Sequence, residues 1–266
     1  MDEPSGQLPT ITGVVHLDPL PGTVRGPHAS ALTATIDRAS RDAWALAEGG
    51  VNALIVENFG DAPFKRNQVA PHTVAAMTLA VDAVMRETNL PVGVNVLRND
   101  GKSAVSIAAM TAASFVRINV YVGAAITDQG FIQGNALDVQ ELIHKLGTRI
   151  DVWADIDVKH ATQVASRPLE DLADDAISRG LARAVILTGT GTGNAVNIDE
   201  LRRLRKNVAR NRLVVGSGVD DKSIAAIMGL ADGVIVGTYF KFDGVVCNRV
   251  DIERVRKLVL AAQNSS

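Results

Sequence analysis

The stretch "DVWADIDVKH", residues 151–160, alternates apolar and charged side chains in the pattern of a half-buried strand. Because successive side chains of a strand point to opposite faces, Asp155, Asp157 and Lys159 share one face. Two carboxylates beside an ammonium group push each other's pKa values apart, which can supply an acid and a base near neutral pH. We therefore predict that these three residues carry catalysis. Lys159 would be an electrostatic or acid group, with a Schiff base as the alternative.

Polar residues also stand at the ends of other short apolar runs, as expected of a site built from several strands. The further catalytic candidates are His16 and Glu57. The candidates for substrate binding are Asn95, Arg117, Asn119, Asp128 and Thr188. Amide and guanidinium groups of this kind could hold hydroxyl groups or stabilise a developing oxyanion. Structural roles stay open as alternatives, such as an internal Arg117–Asp155 ion pair or a core histidine at position 16.

Glycine-rich segments supply a second kind of chemistry. The segments "LTGTGTG" (187–193), "VGSGV" (215–219) and "DGVIVGT" (232–238) combine glycine with hydroxyl side chains. Glycine lets backbone N–H groups approach an anion closely, although such glycines also occur in ordinary turns. The predicted phosphate-binding residues are Gly191, Gly216, Ser217, Gly218, Gly237 and Thr238.

The elements that must position these groups alternate along the chain. Strands are predicted over residues 11–16, 53–57, 92–97, 115–119, 152–157, 184–188, 213–216 and 233–237. Helices are predicted over residues 32–48, 73–87, 103–111, 137–146, 169–179, 198–208, 222–228 and 252–262. Strict alternation implies parallel strands with right-handed crossovers, in either an open doubly wound sheet or a closed barrel.

Eight such units in a chain of 266 residues favour the α/β class and a single (β/α)8 TIM barrel, for which ~250 residues is typical. We predict a flexible amino-terminal tail over residues 1–10 and the barrel over residues 11–266. In such barrels the carboxyl ends of the strands form the active-site mouth, and phosphate commonly binds after the seventh and eighth strands. The carboxylates and the glycine-rich ends would then face each other across one mouth.

Composition narrows the classes of partner. A hydrophobic fraction of 47% and a charged fraction of 21% are typical of soluble globular proteins. A net charge of −2, with Lys and Arg spread along the chain, argues against nucleic acid as a partner. The single cysteine, Cys247, excludes an intrachain disulfide. No leader-like segment and no apolar run of membrane-spanning length is present, so we expect a cytoplasmic protein without membrane insertion.

Eight blocks spread over almost the whole chain carry a resemblance to a known family. They are "GVVHLDPLPG" (13–22), "IVENFGDAPF" (55–64), "PVGVNVLRND" (91–100), "FVRINVYVGAAITDQG" (115–130), "DVKHA" (157–161), "LTGTGTG" (187–193), "VGSGV" (215–219) and "DGVIVGTYFK" (232–241). Together they resemble the BtpA family, which is named for a factor implicated in photosystem I biogenesis. The resemblance implies a TIM barrel of the ribulose-phosphate-binding type, and it assigns no reaction to particular residues.

The combined pattern favours an enzyme acting on a small phosphorylated sugar or a nucleotide-like metabolite. An isomerase, a lyase and a nucleosidase-like hydrolase all stay open. No cofactor is predicted, although a divalent cation could bind Glu57, Asp155 and Asp157, because hard cations take oxygen ligands. The alternative, implied by the BtpA resemblance, is a non-catalytic assembly or stability factor for a membrane complex. Self-association through the barrel helices also stays open.

Overall fold

The computed structural model describes residues 6–157, 161–165, 167–189 and 196–264, in which eight parallel strands close into a barrel. The barrel strands are β1 Ile11–His16, β2 Ala53–Glu57, β3 Val92–Asn95, β4 Phe115–Ile118, β7 Asp151–Asp157, β9 Ala184–Leu187, β10 Leu213–Val215 and β11 Gly233–Val236. Three further strands, β5 Ala124–Thr127, β6 Gly130–Gln133 and β8 Ala161–Gln163, form a separate small sheet. The barrel order is β1-β2-β3-β4-β7-β9-β10-β11, and β11 pairs with β1. The predicted TIM barrel is therefore confirmed.

Helices pack around this barrel and connect its strands. They are α1 Leu32–Gly49, α2 Pro71–Glu87, α3 Gly101–Thr111, α4 Ala136–Leu146, α5 Leu169–Asp174, α6 Ile198–Asn207, α7 Ile224–Met228 and α8 Ile252–Gln263. A π-helical turn over Asp175–Arg179 continues α5. The side chains of Asn197 and Asp251 cap α6 and α8 by accepting backbone N–H groups, as their sequence positions suggest. Among the described residues, no helix has the length and apolar character needed to cross a bilayer.

The alternation of side chains along the strands divides the apolar core into two parts. Outward-facing residues such as Val94, Val116 and Val152 pack against the helices in the larger core. Inward-facing apolar residues fill the lower half of the barrel, where the rings of Phe115 and Trp153 stack with centroids 4.2 Å apart. Polar inward-facing residues are therefore concentrated at the carboxyl ends of the strands, which is the end that carries function in this architecture.

A β-bulge interrupts the alternation near the end of β7. Asp155 pairs with Ile186, but the next paired residue, Asp157, is opposite Leu187, so the register shifts between the two aspartates. Bulges of this kind redirect the strand locally and are common beside active sites. The predicted inward position is observed for Asp155, whereas the side chain of Asp157 lies outside the described residues.

The small antiparallel sheet stands where the sequence predicted only loops. Strands β5 and β6 form a hairpin between β4 and α4, and β8, which follows β7, pairs with β5. Gly130 makes the turn possible because its φ of +90° is strained for residues with a side chain. Ala125 and Ile132 pack with Val120 in a small cluster of their own. The sheet covers one sector of the carboxyl-terminal side of the barrel.

The opposite, amino-terminal end of the barrel is closed by residues 6–10, the described part of the predicted tail. The N–H of Leu8 donates to Asn211 Oδ1 at 2.6 Å, and the Leu8 side chain joins the inner apolar cluster. The carbonyl of Gly6 accepts from Arg183 and from Asn211, both at 2.9 Å. These contacts tie residues 6–10 to the barrel, and residues 1–5 lie outside the described residues.

Candidate active site at the barrel mouth

A cavity of about 660 Å³ opens at the carboxyl ends of the barrel strands. Its lining comes from β1, β2, β4 and β11, from the segments that follow all six of β1, β2, β3, β4, β10 and β11, and from one residue each of α1 and α8. The volume lies in the range of roughly 300–1,000 Å³ that is usual for small-molecule sites. The cavity therefore joins the two regions that the sequence singled out, the polar strand ends and the glycine-rich ends of β10 and β11.

Arg117 is the centre of a buried charge cluster on the floor of this cavity. Its guanidinium contacts Asp155 at 3.1 Å and Glu57 at 4.0 Å, and all three side chains are less than a tenth exposed. Burial alone would lower the pKa of Arg117, but the two neighbouring carboxylates outweigh it and raise that pKa. Arg117 is therefore a permanent cation held between two carboxylates.

Asp155 and Asn119 complete the cluster from the side of β7 and β4. Both Asp155 oxygens accept from Arg117, and Oδ2 also accepts from Asn119 Nδ2 at 2.7 Å. The Asp155 side chain is fully buried and does not line the cavity, whereas Arg117 and Asn119 do. Asp155 thus orients two groups that face the cavity.

Asn95 contacts the cluster from β3. Its Nδ2 donates to Asn119 Oδ1 at 3.1 Å and to the carbonyl of Arg117 at 2.9 Å. Asn95 Oδ1 is buried and accepts no hydrogen bond from the described residues. An amide oxygen left in this state is costly unless a ligand or water donates to it. Thr188, which is buried at the end of β9, is the remaining substrate-binding candidate inside the barrel.

Glu57 and His16 are the titratable candidates that line the cavity directly. They are register partners on the neighbouring strands β2 and β1, and Glu57 is in turn the partner of Asn95 on β3. The ring of His16 meets Phe59 edge-on at 4.8 Å. Three adjacent strands therefore present an imidazole, a carboxylate and an amide side by side.

Arg98 is a cavity-lining residue that the sequence analysis did not select. It follows β3 and is 7% exposed, and burial lowers its pKa although Asp155, Asp128 and Glu57 oppose the shift. Its position after a strand, in the block "LRND", was visible in the sequence. The sequence alone does not show that it faces the cavity, because only the closed barrel turns the segment after β3 toward the mouth.

The glycine-rich ends of β10 and β11 form an anion cradle, which we define as residues 216–218 and 237–238. The backbone N–H groups of Ser217, Gly218 and Thr238 donate to no acceptor in the part of the chain that the structure describes. Ser217 Oγ accepts from the N–H of Gly189 at 2.6 Å, which leaves its hydroxyl hydrogen available to a ligand. Backbone N–H groups that line a cavity and have no acceptor among the described residues suit a phosphate or similar anion.

Protein neighbours also explain why two cradle positions are glycine. A Cβ on Gly216 would lie 2.6 Å from Ile186 Cγ2, and one on Gly237 would lie 2.7 Å from His16 Cε1. Gly218 has a φ of +66°, which a side chain would strain. The imidazole of His16 therefore lies directly beside the cradle, between it and the Arg117 cluster.

Two further arginines, Arg254 and Arg25, line the same cavity as the cradle. Arg254 of α8 donates from Nε to the carbonyl of Tyr239 at 2.6 Å and lies 4.6 Å from that ring's centroid. Arg25 lines the cavity from the segment between β1 and α1, and neither arginine forms an ion pair within the described residues. Arg38, by contrast, pairs with Asp18 at 2.7 Å. Neither Arg254 nor Arg25 was predicted as a site residue, since an arginine on a helix or an exposed loop carries no local signal.

One predicted site residue lies away from this cavity, and three others lie outside the described residues in whole or in their side chains. Asp128 is exposed at the turn of the β5–β6 hairpin and does not line the cavity, although its charge reaches Arg98. Lys159 and Gly191 lie outside the described residues, so their predicted roles stay predictions. The same holds for the side chain of Asp157.

The described residues hold no group of three or more His, Cys, Asp or Glu side chains that could bind a metal ion. Of the predicted cation ligands, Asp155 has both oxygens engaged by Arg117 and Asn119. Glu57 has the Arg117 guanidinium 4.0 Å away. A cation at these two carboxylates would have to compete with a fixed positive charge.

Comparisons with known proteins agree with the architecture. The model of the BtpA family matches residues 7–264 of this chain. A protein of Thermococcus kodakarensis is 44% identical over 95% of each chain. The photosystem I biogenesis protein BtpA of Synechocystis sp. is 43% identical over 94% of this chain and 87% of its own. A solved structure, thiamine phosphate pyrophosphorylase from Pyrococcus furiosus, matches with a TM-score of 0.59 at 12% identity over 96% of each chain, a likeness of fold alone.

Proposed function

This chain belongs to the BtpA family, and from the geometry of its barrel mouth we propose that it is an enzyme acting on a small phosphorylated sugar or nucleotide-like metabolite. The single observation that carries the proposal is the continuity of one cavity from the anion cradle to Glu57 and Arg117. A ligand phosphate at the cradle would leave the rest of the molecule over the polar strand ends. Binding and acid–base groups would then act on one substrate.

The cradle, Arg254 and Arg25 support phosphate as the anchoring group. Ser217, Gly218 and Thr238 offer N–H donors, and Arg254 and Arg25 offer two positive charges against the roughly two negative charges of a phosphate monoester. Asp220 also lines this region, but its carboxylate accepts from the N–H groups of Lys222 and Ser223 at 3.0 and 2.8 Å. The two arginine charges and the N–H donors of the cradle thus suit a doubly charged phosphate group.

The polar strand ends support proton transfer beside a stabilised oxyanion. Glu57 and His16 reach the cavity and can exchange a proton with a substrate carbon or oxygen. Arg117 and Asn119 face the same space and would stabilise negative charge that develops on a substrate oxygen. Asp155 acts through them as a positioning residue. Isomerisation, aldol-type cleavage and glycosidic-bond cleavage share these requirements.

A thermal-shift screen of phosphorylated metabolites tests the proposal in phosphate-free buffer. Each compound is compared with its dephosphorylated counterpart, because only a phosphate-anchored ligand loses its effect when the phosphate is removed. A ligand at 100 times its Kd stabilises the folded protein by about 2.7 kcal/mol. If no phosphorylated compound and no inorganic phosphate raises the melting temperature, the phosphate-binding function is wrong.

The name of the Synechocystis relative favours a second candidate, a non-catalytic factor in the assembly of a membrane complex. Such a factor would not need the titratable groups of the cavity. Glu57→Gln separates the two candidates, since it removes a proton-transfer group while keeping the size of the side chain. An enzyme would lose its biological activity in the cell, whereas an assembly factor would keep it at wild-type protein levels.

A further inference from the structure

Beyond the cradle and the charge cluster, the cavity has a third zone that the proposed function leaves unused. We call it the apolar wall, and it consists of Phe59, Ala62, Phe64 and Leu97. Phe59, Ala62 and Phe64 belong to the segment after β2, and Leu97 follows β3. Hydrophobic and aromatic surface in a cavity is available to bind apolar parts of a ligand.

The order of the strands places this wall at the far end of the cavity from the phosphate. Around the barrel, adjacent strands follow one another in the order β10, β11, β1, β2 and β3. The cradle follows β10 and β11, His16 ends β1, Glu57 ends β2, and the apolar wall follows β2 and β3. A substrate that reaches from end to end therefore passes His16 and Glu57 midway.

Buried hydrogen bonds hold the apolar wall in place. Asn58 Oδ1 accepts from the N–H of Leu97 at 2.7 Å, and Asn58 Nδ2 donates to Asp61 at 3.0 Å. Asp61 in turn accepts from the N–H of Leu20 at 2.8 Å. Phe59 is further braced by its edge contact with the His16 ring at 4.8 Å. The wall is thus preorganised, which reduces the entropy lost when a rigid planar group binds against it.

The cavity is large enough for a ligand that consists of a phosphate, a sugar and a planar group. Its volume of about 660 Å³ equals the volume of roughly 20 water molecules in the liquid. A phosphate and a small sugar at the cradle and the charge cluster would leave the apolar wall facing water. Such an aromatic surface gains most from a planar group that stacks on it.

We propose that the substrate carries a planar aromatic group on the side of the reacting centre opposite its phosphate, and that the face of this group binds against Phe59, Phe64 and Leu97. The substrate is then nucleotide-like, with phosphate, sugar and planar group in that order, rather than a plain sugar phosphate. This inference rests on the proposed phosphate-anchored function, and it adds the chemical class of the substrate.

Binding titrations with three kinds of probe test the inference: inorganic phosphate, ribose 5-phosphate and the four ribonucleoside 5′-monophosphates. We expect at least one nucleotide to bind tenfold or more tightly than ribose 5-phosphate, which is the size of effect that base stacking on one aromatic ring supplies. Phe64→Ala should remove this advantage and leave the affinity for ribose 5-phosphate unchanged. The matched control is Leu79→Ala, at a half-exposed apolar position on α2 away from the cavity lining.

Different results of these titrations would contradict the inference alone or the proposed phosphate-anchored function as well. Equal affinity for ribose 5-phosphate and for every nucleotide would overturn the inference alone. An equal loss of both affinities in Phe64→Ala would do the same, because it would show damage to the whole cavity. No response of the wild-type protein to any of the three kinds of probe would remove the phosphate-anchored function, and the inference with it.

Discussion

Glu57 and Asp155 are both carboxylates beside Arg117, but they differ in their access to the cavity. Glu57 lines it, whereas Asp155 is fully buried and satisfied by Arg117 and Asn119. A group that transfers a proton must reach the substrate directly or through one water molecule. At the scale of single residues, the structure therefore separates a proton-transfer group from a positioning group.

Substitution of these two carboxylates should affect different properties of the protein. Glu57→Gln should lower turnover of the phosphorylated substrate by about 10²–10⁴-fold, because it removes the proton-transfer group. Asp155→Asn should lower the free energy of unfolding by about 3–5 kcal/mol, because it leaves the Arg117 charge buried with a weaker partner. Turnover and urea denaturation of each variant measure the two effects. A stable Asp155→Asn protein beside an unstable Glu57→Gln protein would contradict this division of roles.

Arg254 gives a second prediction at the residue scale. Arg254→Met should weaken binding of inorganic phosphate about tenfold or more, because a hydrogen bond to a charged group contributes about 1.5–3 kcal/mol. Isothermal titration measures the affinity. Arg256→Met is the matched control, since Arg256 is on the same helix but half exposed and paired with Glu253. Equal affinity of the two variants for phosphate would remove Arg254 from the site.

At the scale of elements, a buried ion pair anchors the segment between β11 and α8 that carries half of the cradle. Lys241 Nζ contacts Asp42 of α1 at 2.7 Å, with both side chains almost fully buried. Asp42 also accepts from the N–H of Val250 at 2.9 Å. Burial lowers the pKa of Lys241, while the Asp42 carboxylate opposes that shift. The pair thus ties both ends of the 241–250 segment to α1.

Removal of one partner of this pair should loosen the segment. Lys241→Met should lower the free energy of unfolding by about 3–5 kcal/mol, because Asp42 would remain as an uncompensated buried charge. Urea denaturation measures the loss, and limited proteolysis should show faster cleavage within residues 241–250. Lys222→Met, at an exposed position, should leave both properties unchanged. A Lys241→Met protein as stable as this control would refute the anchoring role.

At the scale of the whole molecule, the buried Tyr121 makes global stability depend on pH in the alkaline range. Tyr121 donates its hydroxyl to the carbonyl of Gly180, and burial raises the pKa of Tyr121 to about 12. The neutral form is therefore favoured in the folded state relative to the unfolded chain, where the pKa is about 10. The contribution of this shifted pKa to the free energy of unfolding is fully present below pH 10 and is lost as the pH rises from about 10 to about 12.

The wild-type protein should consequently lose stability across this range relative to Tyr121→Phe. The difference between the two free energies of unfolding should change by up to about 3 kcal/mol, at 1.36 kcal/mol per pKa unit. Urea denaturation at intervals from pH 8 to pH 12 measures this difference. Both proteins contain the same lysines, so the titration of the lysines affects both free energies equally and does not change their difference. A constant difference over the range would show that Tyr121 titrates normally in the folded protein.

Two parts of the structure were not predicted from the sequence, the β5–β6 hairpin and the arginines of the cavity. The hairpin over β5 and β6 was hidden because its strands are short and lie in a connection between two strong elements. Gly130, at the turn of "ITDQGFIQ", was the available signal. Arg98, Arg25 and Arg254 lie far apart along the chain, and each resembles an ordinary surface arginine until the barrel closes.

The sequence by itself determined the barrel, because the alternation of strand and helix periods is a local property of the chain. It also placed Asn95, Arg117 and Asp155 inward, since parity along a strand follows from the backbone alone. Only the tertiary structure decided which inward groups reach the cavity, because that depends on contacts across strands. Those contacts place Asp155 behind Arg117, leave Glu57 and His16 lining the cavity, and bring Arg254 into the same cavity as the cradle.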